Sequence, residues 1–414
     1  MKTLIFFPGR IGDPFFEKEI KYICGLFDKV FVLTYEGDRK TFDAAAAQYG
    51  FHYKVVNQVK GKALLAVLGG GWRASAPVRE EFKNHIKGKH KVKKLLYALF
   101  YGMFALQAKP YMEQIIQEAE GEVYIYSMWL SRPAYAAALM NLKRDPKVKA
   151  IVSRAHGFDI YKERIDIQYL PFRKFIAENL DEISFVSSHG LKYYEDHWPE
   201  FNKPVKKVAF LGTDKEEEGI KAIRAKTVPV IATCSLIRDV KRYDLILDTL
   251  SKLKTEFIWY QYGEGEDIEK IKQLAEVKLK GRQYRFMGHI PNREILLRYL
   301  ADDIDFLLNL SDSEGLPVSY MEAMSIGVPV IARDSGGSSE IVDDKTGRLL
   351  DATPDTEAWA KLIDAELRMR IDHPQDYLKK SRGAFDRWNT RFNSELNTKK
   401  FFTELLQSDY TKED

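Results

Sequence analysis

Short apolar runs alternate with longer helix-periodic segments along most of this chain. Runs without polar alternation are typical of strands that are buried on both faces, as in a parallel sheet covered by helices. In the first half these runs lie at residues 4–7, 30–34, 123–126, 150–153 and 182–187. In the second half they lie at residues 228–234, 256–262, 284–287, 306–310 and 328–332. The pattern therefore predicts two successive α/β halves.

The length of the chain supports this division. A chain of 414 residues exceeds what one hydrophobic core usually holds, so two domains are expected. Residues 203–214 change from a helical to an extended pattern, and we place the boundary there, between 207 and 208. The tail, residues 377–406, is again helical in pattern.

The composition indicates a soluble globular protein and argues against several other classes. Hydrophobic residues make up 45% and charged residues 30% of the chain, unlike a disordered or fibrous protein. The net charge of +4 is too small to indicate nucleic-acid binding. No apolar run reaches the roughly 18 residues of a membrane span, and the apolar part of the amino-terminal segment is too short for a secretory signal. We therefore expect a cytoplasmic protein.

The two cysteines, Cys24 and Cys234, both lie in apolar surroundings. Such surroundings fit free thiols in a reducing compartment better than a disulfide or a metal site. No group of His, Cys and acidic residues has the spacing of metal ligands.

The most informative segment is SDSEGLPVSYMEAMSIGVPVIARDSGGSSEIVDDKTGRL, residues 311–349. It follows a buried strand, passes through a glycine-containing loop and enters a helix predicted from Val318 to Ser325. Pro317 suits the first position of that helix, and a second buried strand follows, so the segment completes a βαβ unit. Its loop should lie at the carboxyl end of the sheet, where ligands bind in open α/β folds and the helix start favours phosphate.

Two carboxylates, Glu314 in this loop and Glu322 in the helix, flank the helix start. A carboxylate accepts two hydrogen bonds at once, which suits the paired hydroxyls of a ribose or a hexose. The alternative is that the helix dipole favours Glu314 and that Glu322 belongs to a solvated face.

The string EGLPVSYMEAMSIGVPVIA, together with GGSSEIV and TGRLL, resembles the signature of the retaining glycosyltransferases of family 4, bacterial sugar-nucleotide enzymes of the GT-B fold. The resemblance implies that Glu314 approaches the donor hexose and that Glu322 binds the ribose. It also places the loop backbone against the donor sugar and phosphate, at Gly315, Leu316, Pro317 and Val318. Pro317 itself has no N–H to donate.

The resemblance extends to the ends of the predicted domains. LGTD, residues 211–214, resembles the family's link between domains, and SRGAFDRWNTRFN, residues 381–393, resembles the final helices that cross back to the first domain. It implies an acceptor-side Rossmann-like domain over 1–207, completed by 386–414, and a nucleotide-sugar-binding Rossmann-like domain over 208–385. In the GT-B fold two such domains face a central cleft.

A second candidate group is IATCSLIRDVKRYDLIL, residues 231–247. Lys241 follows a strand and its loop, so it can share a sheet edge with Glu314 and offer a point charge to a diphosphate. A solvated lysine explains the residue equally well. In family 4 this segment carries an Arg and, five residues later, a Lys, both on the donor phosphates. Lys241 matches the Lys, whereas Leu236 occupies the Arg position, which leaves Arg238 as the candidate replacement.

Two weaker elements complete the implied donor pocket. Gly263 and Glu264, in QYGEG, resemble the family's Gly-acid-Gly turn, although alone they indicate only a turn. His289 and Ile290 resemble the loop whose backbone lines the nucleobase.

In the first half the clearest motif is SRAHGFDIYKER, residues 153–164, which follows an apolar strand. It resembles the family's RAHGYDLY motif and implies that His156 contacts the donor sugar, with Asp159 in support. A lone histidine is otherwise more often structural. The opening segment FPGRIGDPFFEKEI also resembles the family, and Gly9 and Gly12 can let the backbone approach a ligand, although a plain turn explains both.

Together these resemblances imply retaining transfer of a hexose or N-acetylhexosamine from a nucleoside-diphosphate sugar to a saccharide or lipid-linked saccharide, in polysaccharide or glycoconjugate synthesis. Lys241 and the helix start after Pro317 would stabilise the leaving diphosphate, without a metal or other cofactor. UDP is favoured over GDP only by its frequency in the family.

Two other function classes remain open. A sugar-nucleotide isomerase or epimerase of GT-B architecture would bind a similar donor without an acceptor. A non-catalytic sugar-nucleotide-binding protein would keep Lys241 and Glu322 but would not need His156 or Glu314. A dehydrogenase is disfavoured because no Gly-x-Gly-x-x-Gly follows the first strand.

The acceptor is the least defined part. Residues 83–94 (KNHIKGKHKVKK) hold six lysines and no acidic residue, and the apolar segment 95–106 follows. We hypothesise that this region contacts anionic lipid and that the acceptor is lipid-linked, at the inner face of the cell membrane. The alternatives are a solvated loop before a buried helix, or an acceptor groove formed by aromatic side chains at Trp72, Tyr97, Phe100, Tyr101 and Phe104.

Overall fold

The computed structural model describes residues 1–9, 14–34, 38–56, 75–214 and 219–410. The chain separates into two units, Met1–Phe210 with Glu395–Asp414, and Leu211–Ser394. Each unit contains one sheet whose neighbouring strands all run parallel, with helices between successive strands. The predicted fold class, two Rossmann-like parallel-sheet domains, is confirmed.

The observed unit boundaries differ from the predicted domain boundaries. The first unit ends at Phe210 rather than at 207, and the chain returns to it at Glu395 rather than at 386. Residues 386–394 stay with the second unit, because the helix Pro374–Arg391 packs against the helix Val318–Ser325 there.

The first unit is built on a seven-stranded sheet in the order β3-β2-β1-β4-β5-β6-β7. Its strands are β1 (Lys2–Phe7), β2 (Lys29–Thr34), β3 (His52–Val55), β4 (Glu122–Ser127), β5 (Val148–Ala155), β6 (Glu182–Phe185) and β7 (Val205–Val208). Its helices are α1 (Pro14–Ile23), α2 (Arg39–Tyr49), α3 (Ala76–Asn84), α4 (Lys91–Glu118), α5 (Arg132–Ala138), α6 (Arg173–Asn179) and α7 (Ser188–His197). Because β1 lies between β2 and β4, the strand order reverses direction between β1 and β4.

The second unit is built on a six-stranded sheet in the order β10-β9-β8-β11-β12-β13. Its strands are β8 (Val230–Cys234), β9 (Ile258–Tyr262), β10 (Gln283–Gly288), β11 (Phe306–Asn309), β12 (Val330–Arg333) and β13 (Gly347–Leu350). Its helices are α8 (Tyr243–Ser251), α9 (Ile268–Lys278), α10 (Ile295–Ala301), α11 (Val318–Ser325), α12 (Ser338–Ile341), α13 (Thr356–Asp372) and α14 (Pro374–Arg391). Here the strand order reverses between β8 and β11.

Short 3-10 turns lie at Leu139–Lys143, Lys162–Arg164, Asp239–Lys241 and Asn292–Glu294. The last two follow β8 and β10, at the edge of the second sheet where its strands end. They bring polar side chains to that edge without the length of a full helix.

The ten predicted strands are all present, but three further strands in the described part of the chain were missed. β3, β7 and β13 are edge strands at the ends of the strand orders. The sequences HYKV and VKKV carry polar residues because an edge strand is only partly covered, so neither forms an apolar run. Pro317 also lies one position earlier than predicted, at the N-cap of α11 rather than inside it.

The last helix, α15 (Ser394–Gln407), completes the core of the first unit. Phe401, Phe402 and Leu405 are buried in the same apolar cluster as Tyr124 and Tyr126 of strand β4. The ring of Phe402 packs edge-on against both Tyr126 of β4 and Phe27, with ring centroids 5.3 and 5.8 Å apart. The first unit therefore depends on chain that follows the whole of the second.

The basic segment and α4 each match part of two predicted environments, a solvated loop before a buried helix and an exposed surface available to lipid. Most of the lysines in 83–94 are exposed, and the helix is buried from Tyr101 to Ala105. Its first turns, in contrast, leave Leu96, Tyr97 and Phe100 exposed. Among the described residues, no helix combines the length and the apolar character needed to span a membrane.

Candidate active site

Two predicted site residues follow the strands at which the strand order of the second unit reverses. Lys241 follows β8, and Glu314 follows β11, the two strands between which the order reverses. In open parallel sheets, ligands bind in the crevice at the carboxyl ends of such a strand pair. The topology therefore brings these residues to the position where a ligand is expected.

The side chains of Lys241 and Glu314 form an ion pair. Lys241 Nζ donates to Glu314 Oε1 over 2.7 Å, and Asn309 Nδ2 donates to the same oxygen over 3.0 Å. Asn309 is held in turn, because its Oδ1 accepts the backbone N–H of Ser311 over 2.8 Å. Glu314 is only 8% exposed, so the cation and the amide offset the cost of burying its charge. The structure brings together the two residues predicted to act on phosphate and sugar.

The backbone of Glu314 is fixed by the GGSS motif that follows β12. Gly337 donates its N–H to the Glu314 carbonyl over 3.3 Å. Gly336 has a φ of +56°, and a Cβ at this position would lie 1.8 Å from the Glu314 carbonyl oxygen. Only glycine allows this approach, so Gly336 is a site residue that sequence reasoning did not single out.

The second carboxylate, Glu322, is buried inside the unit rather than solvated. Asn292 donates from Nδ2 to Glu322 Oε1 over 2.8 Å, and Ser325 Oγ donates to the Glu322 carbonyl over 2.7 Å. Glu322 is 5% exposed, so the alternative that placed it on a solvated face is wrong. Asn292 was not predicted. Its position just after Pro291, in a loop beside a sheet edge, is typical of a polar residue that supports a site.

The loop before α11 is placed as predicted around the helix start. Pro317 is buried, whereas the other three loop residues are half-buried, at Gly315, Leu316 and Val318. Apart from its two chain neighbours, no described residue has a heavy atom within 4 Å of the position of a Cβ at Gly315. The backbone at Gly315 therefore borders open space beside Glu314, as a ligand-binding loop requires.

The loops after β8, β9 and β10 interlock through glycine. Gly263, with φ +113°, donates its N–H to the Gly288 carbonyl over 2.8 Å, and a Cβ on it would lie 2.2 Å from the Ser235 carbonyl oxygen. The Glu264 carbonyl accepts the N–H of Ile237 over 3.0 Å, while the Glu264 side chain is exposed. The QYGEG turn thus supports the loop that carries Lys241.

The loop after β10 continues from Gly288, which has a φ of +73°. His289 is exposed, and Ile290 is half-buried. Their predicted role beside the nucleobase stays a prediction.

The side chain of Arg238 borders a cavity whose wall does not include the Lys241–Glu314 pair. Arg238 is exposed, and it lines a cavity of about 520 Å³ together with Asp267 and Lys270. Neither Lys241 nor Glu314 lines this cavity. Leu236, at the position of the family arginine, is also exposed.

The first unit has its own cluster at the reversal of strand order between β1 and β4. Trp129, which follows β4, donates from Nε1 to the carbonyl of Pro8, which follows β1, over 3.0 Å. The carbonyl of Gly9 accepts from Thr34 Oγ1 over 2.9 Å, and Gly9 has a φ of +92°. Gly12 lies outside the described residues.

His156 packs into this cluster as a neutral ring. Its centroid lies 4.0 Å from that of Trp129 and 5.7 Å from that of Phe15, and its Nε2 is 2.8 Å from the carbonyl oxygen of Met128. Burial, followed by the nearby charge of Arg154, lowers the pKa of His156 to about 3. A neutral ring that donates from Nε2 to a carbonyl has an unprotonated Nδ1, which can only accept a hydrogen bond.

Asp159 ties together the loops after β4 and β5. Its Oδ1 accepts the N–H of His156 over 2.8 Å, and its Oδ2 accepts the N–H of Leu130 over 2.9 Å. Arg173 donates to the carbonyl oxygens of Asp159 and Leu130 over 2.5 and 3.2 Å. Burial raises the pKa of Asp159 to about 6, and the two backbone N–H groups oppose that rise. Asp159 is thus a positioning residue for His156.

The two cysteines take no part in these clusters. Cys24 and Cys234 are free and half-buried, and burial raises the pKa of Cys234 to about 12. Within the described ranges, no three His, Cys, Asp or Glu side chains are grouped as metal ligands. Metal independence stays a prediction.

Comparison with known proteins identifies the second unit. The family model described as glycosyl transferases group 1 matches residues 214–383. A relative from Corynebacterium glutamicum, a GDP-mannose-dependent monoacylated alpha-(1-6)-phosphatidylinositol monomannoside mannosyltransferase, is 23% identical over 62% of this chain and 71% of its own length. The amylovoran biosynthesis glycosyltransferase AmsK from Erwinia amylovora is 26% identical over 65% of this chain and 68% of its own length.

A solved structure shares the fold of the whole chain. The Anabaena protein Alr3699/HepE, in complex with UDP, superposes with a TM-score of 0.67 at 15% identity, covering 99% of this chain and 100% of that chain. The two parallel-sheet units and their strand orders thus define an α/β protein of the GT-B class. Residues 214–383, which make up most of the second unit, thus match a glycosyltransferase group 1 domain, and both of these relatives are named as glycosyltransferases.

Proposed function

We propose that this protein transfers a hexose or N-acetylhexosamine from a nucleoside-diphosphate sugar to a saccharide or lipid-linked saccharide, with retention of configuration, in the synthesis of a polysaccharide or glycolipid. The observation that carries the proposal is the Lys241–Glu314 ion pair at the strand reversal of a glycosyltransferase group 1 domain. The names of the two relatives support this substrate class.

Lys241 stabilises the leaving group in this proposal. The acceptor hydroxyl oxygen forms a bond to the anomeric carbon, the bond from that carbon to the phosphate oxygen breaks, and the hydroxyl proton passes to the departing phosphate. The nucleoside diphosphate leaves with increased negative charge, so a cation at the phosphate lowers the barrier. The free N–H groups at the start of α11 add to this effect.

The ion pair implies an exchange of partners when the donor binds. A diphosphate carries more negative charge than one carboxylate, so it competes with Glu314 for Lys241. Asn309 keeps its hydrogen bond to Glu314 and so keeps the carboxylate oriented. The Glu314 lone pairs that Lys241 releases then accept hydrogen bonds from sugar hydroxyls. Glu322, held by Asn292, accepts the paired ribose hydroxyls.

His156 is proposed to accept a hydrogen bond from a hydroxyl of the transferred sugar. The neutral ring and its unprotonated Nδ1 support an accepting role rather than a charge on the phosphate. Gly9 is a further backbone position for this ligand, and Arg238 stays a candidate second cation for the diphosphate.

The donor base is proposed to be uracil, with guanine as the second candidate. Family frequency favours UDP, and the HepE structure is a complex with UDP. The name of the Corynebacterium relative gives GDP-mannose for that protein, so both nucleotides need to be tested.

We further propose a cytoplasmic protein that binds peripherally to the inner face of the membrane. The exposed lysines of residues 83–94 support this location, because each lysine near an anionic surface contributes about 1 kcal/mol of attraction.

A thermal-shift screen tests the donor site. UDP, GDP, ADP and their common hexose conjugates are added with EDTA and, separately, with Mg²⁺. We expect one nucleotide to raise the melting temperature in EDTA, because a ligand bound only by the folded state stabilises it. Glu322→Gln should abolish that rise. No rise with any nucleotide, with or without Mg²⁺, would contradict the proposal.

Product analysis separates the proposal from an isomerase. A transferase releases nucleoside diphosphate faster when a suitable saccharide is present, and the sugar appears on that saccharide. An isomerase instead converts one sugar nucleotide into its epimer, and added saccharide has no effect.

A further inference from the structure

The first turns of α4 present an apolar surface to solvent. Val92, Leu96 and Phe100 are spaced four residues apart, so they align on one face of the helix. They are 70%, 48% and 43% exposed, and Tyr97 beside them is 44% exposed. Exposed apolar residues grouped in this way indicate an interaction surface rather than random exposure. We call Val92, Leu96, Tyr97 and Phe100 the α4 apolar surface.

A cavity of about 430 Å³ opens beside this surface, within the first unit. Tyr97 and Phe100 belong both to the α4 apolar surface and to the cavity wall. Tyr101, Phe158 and Tyr169 complete the aromatic part of the wall. The size lies in the usual range for small-molecule sites, and the continuity means that one ligand can occupy both places.

Polar groups lie in the same wall. Ser131, Arg132 and Asp159 line the cavity together with the aromatic rings. A wall of aromatic faces with a few hydroxyl, guanidinium and carboxylate groups suits a pyranose. Its C–H faces pack on rings, and its hydroxyls form hydrogen bonds.

The wall is held rigidly from behind. Tyr169 donates from its hydroxyl to Glu81 Oε1 over 2.6 Å, and both residues are buried. The ring of Tyr101 packs against Tyr135 and Phe172, with centroids 6.1 and 6.0 Å away. A wall fixed before binding costs less conformational entropy when a ligand enters.

The cavity is connected to His156 by a series of rings in contact, which are tilted relative to one another. Phe158, in the cavity wall, lies 4.8 Å from Trp129 between ring centroids, and Trp129 lies 4.0 Å from His156. Asp159 both lines the cavity and holds the backbone of His156. A ligand in this cavity is therefore next to the residue proposed to contact the transferred sugar.

Lysines flank the apolar surface on its amino-terminal side. Lys89, Lys91 and Lys93 are exposed, and residues 83–94 contain no acidic residue to neutralise them. An apolar surface beside unneutralised lysines complements a ligand with a hydrocarbon chain and a negative charge, or the anionic membrane that carries it.

We infer that the cavity and the α4 apolar surface together form the acceptor site, and that they take an amphiphilic glycoside. The terminal pyranose fills the aromatic cavity, the lipid carrier lies along Leu96 and Val92 toward the membrane, and the lysines face its anionic head group. This inference rests on the proposed function and specifies its acceptor as lipid-linked.

The test compares binding of octyl and methyl glycosides of glucose, galactose, mannose and N-acetylglucosamine, below the micelle concentration of the octyl compounds. We expect at least one octyl glycoside to bind about tenfold or more tightly than its methyl counterpart, because the chain covers the apolar surface. Leu96→Ser should reduce that preference, whereas Val277→Ser, at a 75% exposed position of the second unit, should not.

The cavity is tested separately by Phe100→Ala and by sedimentation with vesicles. Phe100→Ala should weaken both octyl and methyl glycosides and raise the acceptor KM without changing the donor KM. Vesicles that contain phosphatidylglycerol should pull down the wild type at low salt, and Leu96→Ser or Lys91→Glu with Lys93→Glu should reduce the bound fraction.

The outcomes distinguish this inference from the proposed function. Equal affinity for octyl and methyl glycosides, or no effect of Phe100→Ala, would overturn the acceptor site. If nucleotides still raise the melting temperature in that case, the donor proposal stands. If nucleotides have no effect while the octyl preference is present, the proposed function fails and an amphiphile-binding site remains.

Discussion

His156 combines a shifted pKa with a defined hydrogen bond, and the two together fix its charge. Its pKa is about 3 in the folded protein, against an ordinary value of 6.5. Between these values the unfolded chain binds the proton and the folded protein does not, so this contribution to stability is present above pH 6.5 and is lost as pH falls toward 3. Asp159 acts in the opposite sense, because its raised pKa favours the protonated folded form between pH 3.8 and about 6.

The replacement His156→Gln should therefore reduce the loss of unfolding free energy as the pH falls. Glutamine can keep a hydrogen bond to Met128 without titrating. Between pH 7 and pH 5 we expect the wild type to lose up to about 2 kcal/mol more than the variant, measured by urea unfolding. The exposed His85→Gln serves as the control and should follow the wild type. Identical pH dependence of the His156 variant and the wild type would show that the ring is not held neutral.

Asn292 should control donor affinity through Glu322. Replacing it with alanine removes the amide that orients the carboxylate, and a hydrogen bond to a charged group contributes about 1.5–3 kcal/mol. We expect Asn292→Ala to weaken nucleotide binding by about tenfold or more in calorimetric titration. The neighbouring Arg293→Ala, whose side chain is 86% exposed, should bind as the wild type does. A rescue by Asn292→Gln would strengthen the positioning role.

Sequence reasoning found the charged site residues more readily than their supports. Lys241 and Glu314 were predicted to share a sheet edge, and the structure joins them in an ion pair. Asn309 was counted within an apolar strand, although a polar residue at the buried end of that strand was itself a signal. Gly336 could not be recognised from its spacing, because its importance comes from a contact with a carbonyl 22 residues earlier in the chain.

At the scale of elements, the site depends on loops that hold one another. The loop before α11 is fixed by the segment after β12, and the loop after β8 is fixed by the turn after β9. The buried parallel strands and their order along the chain were predictable, because each appears as an apolar run in a single sequence. The edge strands β3, β7 and β13 could not be predicted in this way. Each has a neighbouring strand on one side only and is partly exposed to solvent on the other, so its sequence is not a continuous apolar run.

Gly336→Ala tests the loop before α11. The added Cβ cannot coexist with the Glu314 carbonyl, so the loop must move or the left-handed backbone must change. We expect a loss of about 2 kcal/mol or more in unfolding free energy, together with weaker nucleotide binding. Gly315→Ala is the stability control, because open space surrounds its Cβ position. Equal melting temperatures for the two variants would contradict the close approach.

At the scale of the whole molecule, the chain enters the second unit once and returns once to the first. Phe402→Ala tests the importance of that return. Phe402 is fully buried, and removal of such a side chain costs about 3–5 kcal/mol. We expect the melting temperature to fall while the affinity for nucleotide at low temperature stays unchanged. Lys400→Ala, on the exposed face of the same helix, is the control, and an equal fall in both variants would be the contrary result.

The position of α15 also sets an order of events during protein synthesis. Residues 395–407 are translated only after every strand of the second unit has been made. Domains usually fold as they are synthesised, the amino-terminal one first, yet here the first sheet lacks Phe401, Phe402 and Leu405 until the second unit is complete. The glycosyltransferase group 1 domain is a continuous segment and can therefore finish folding before the unit that precedes it.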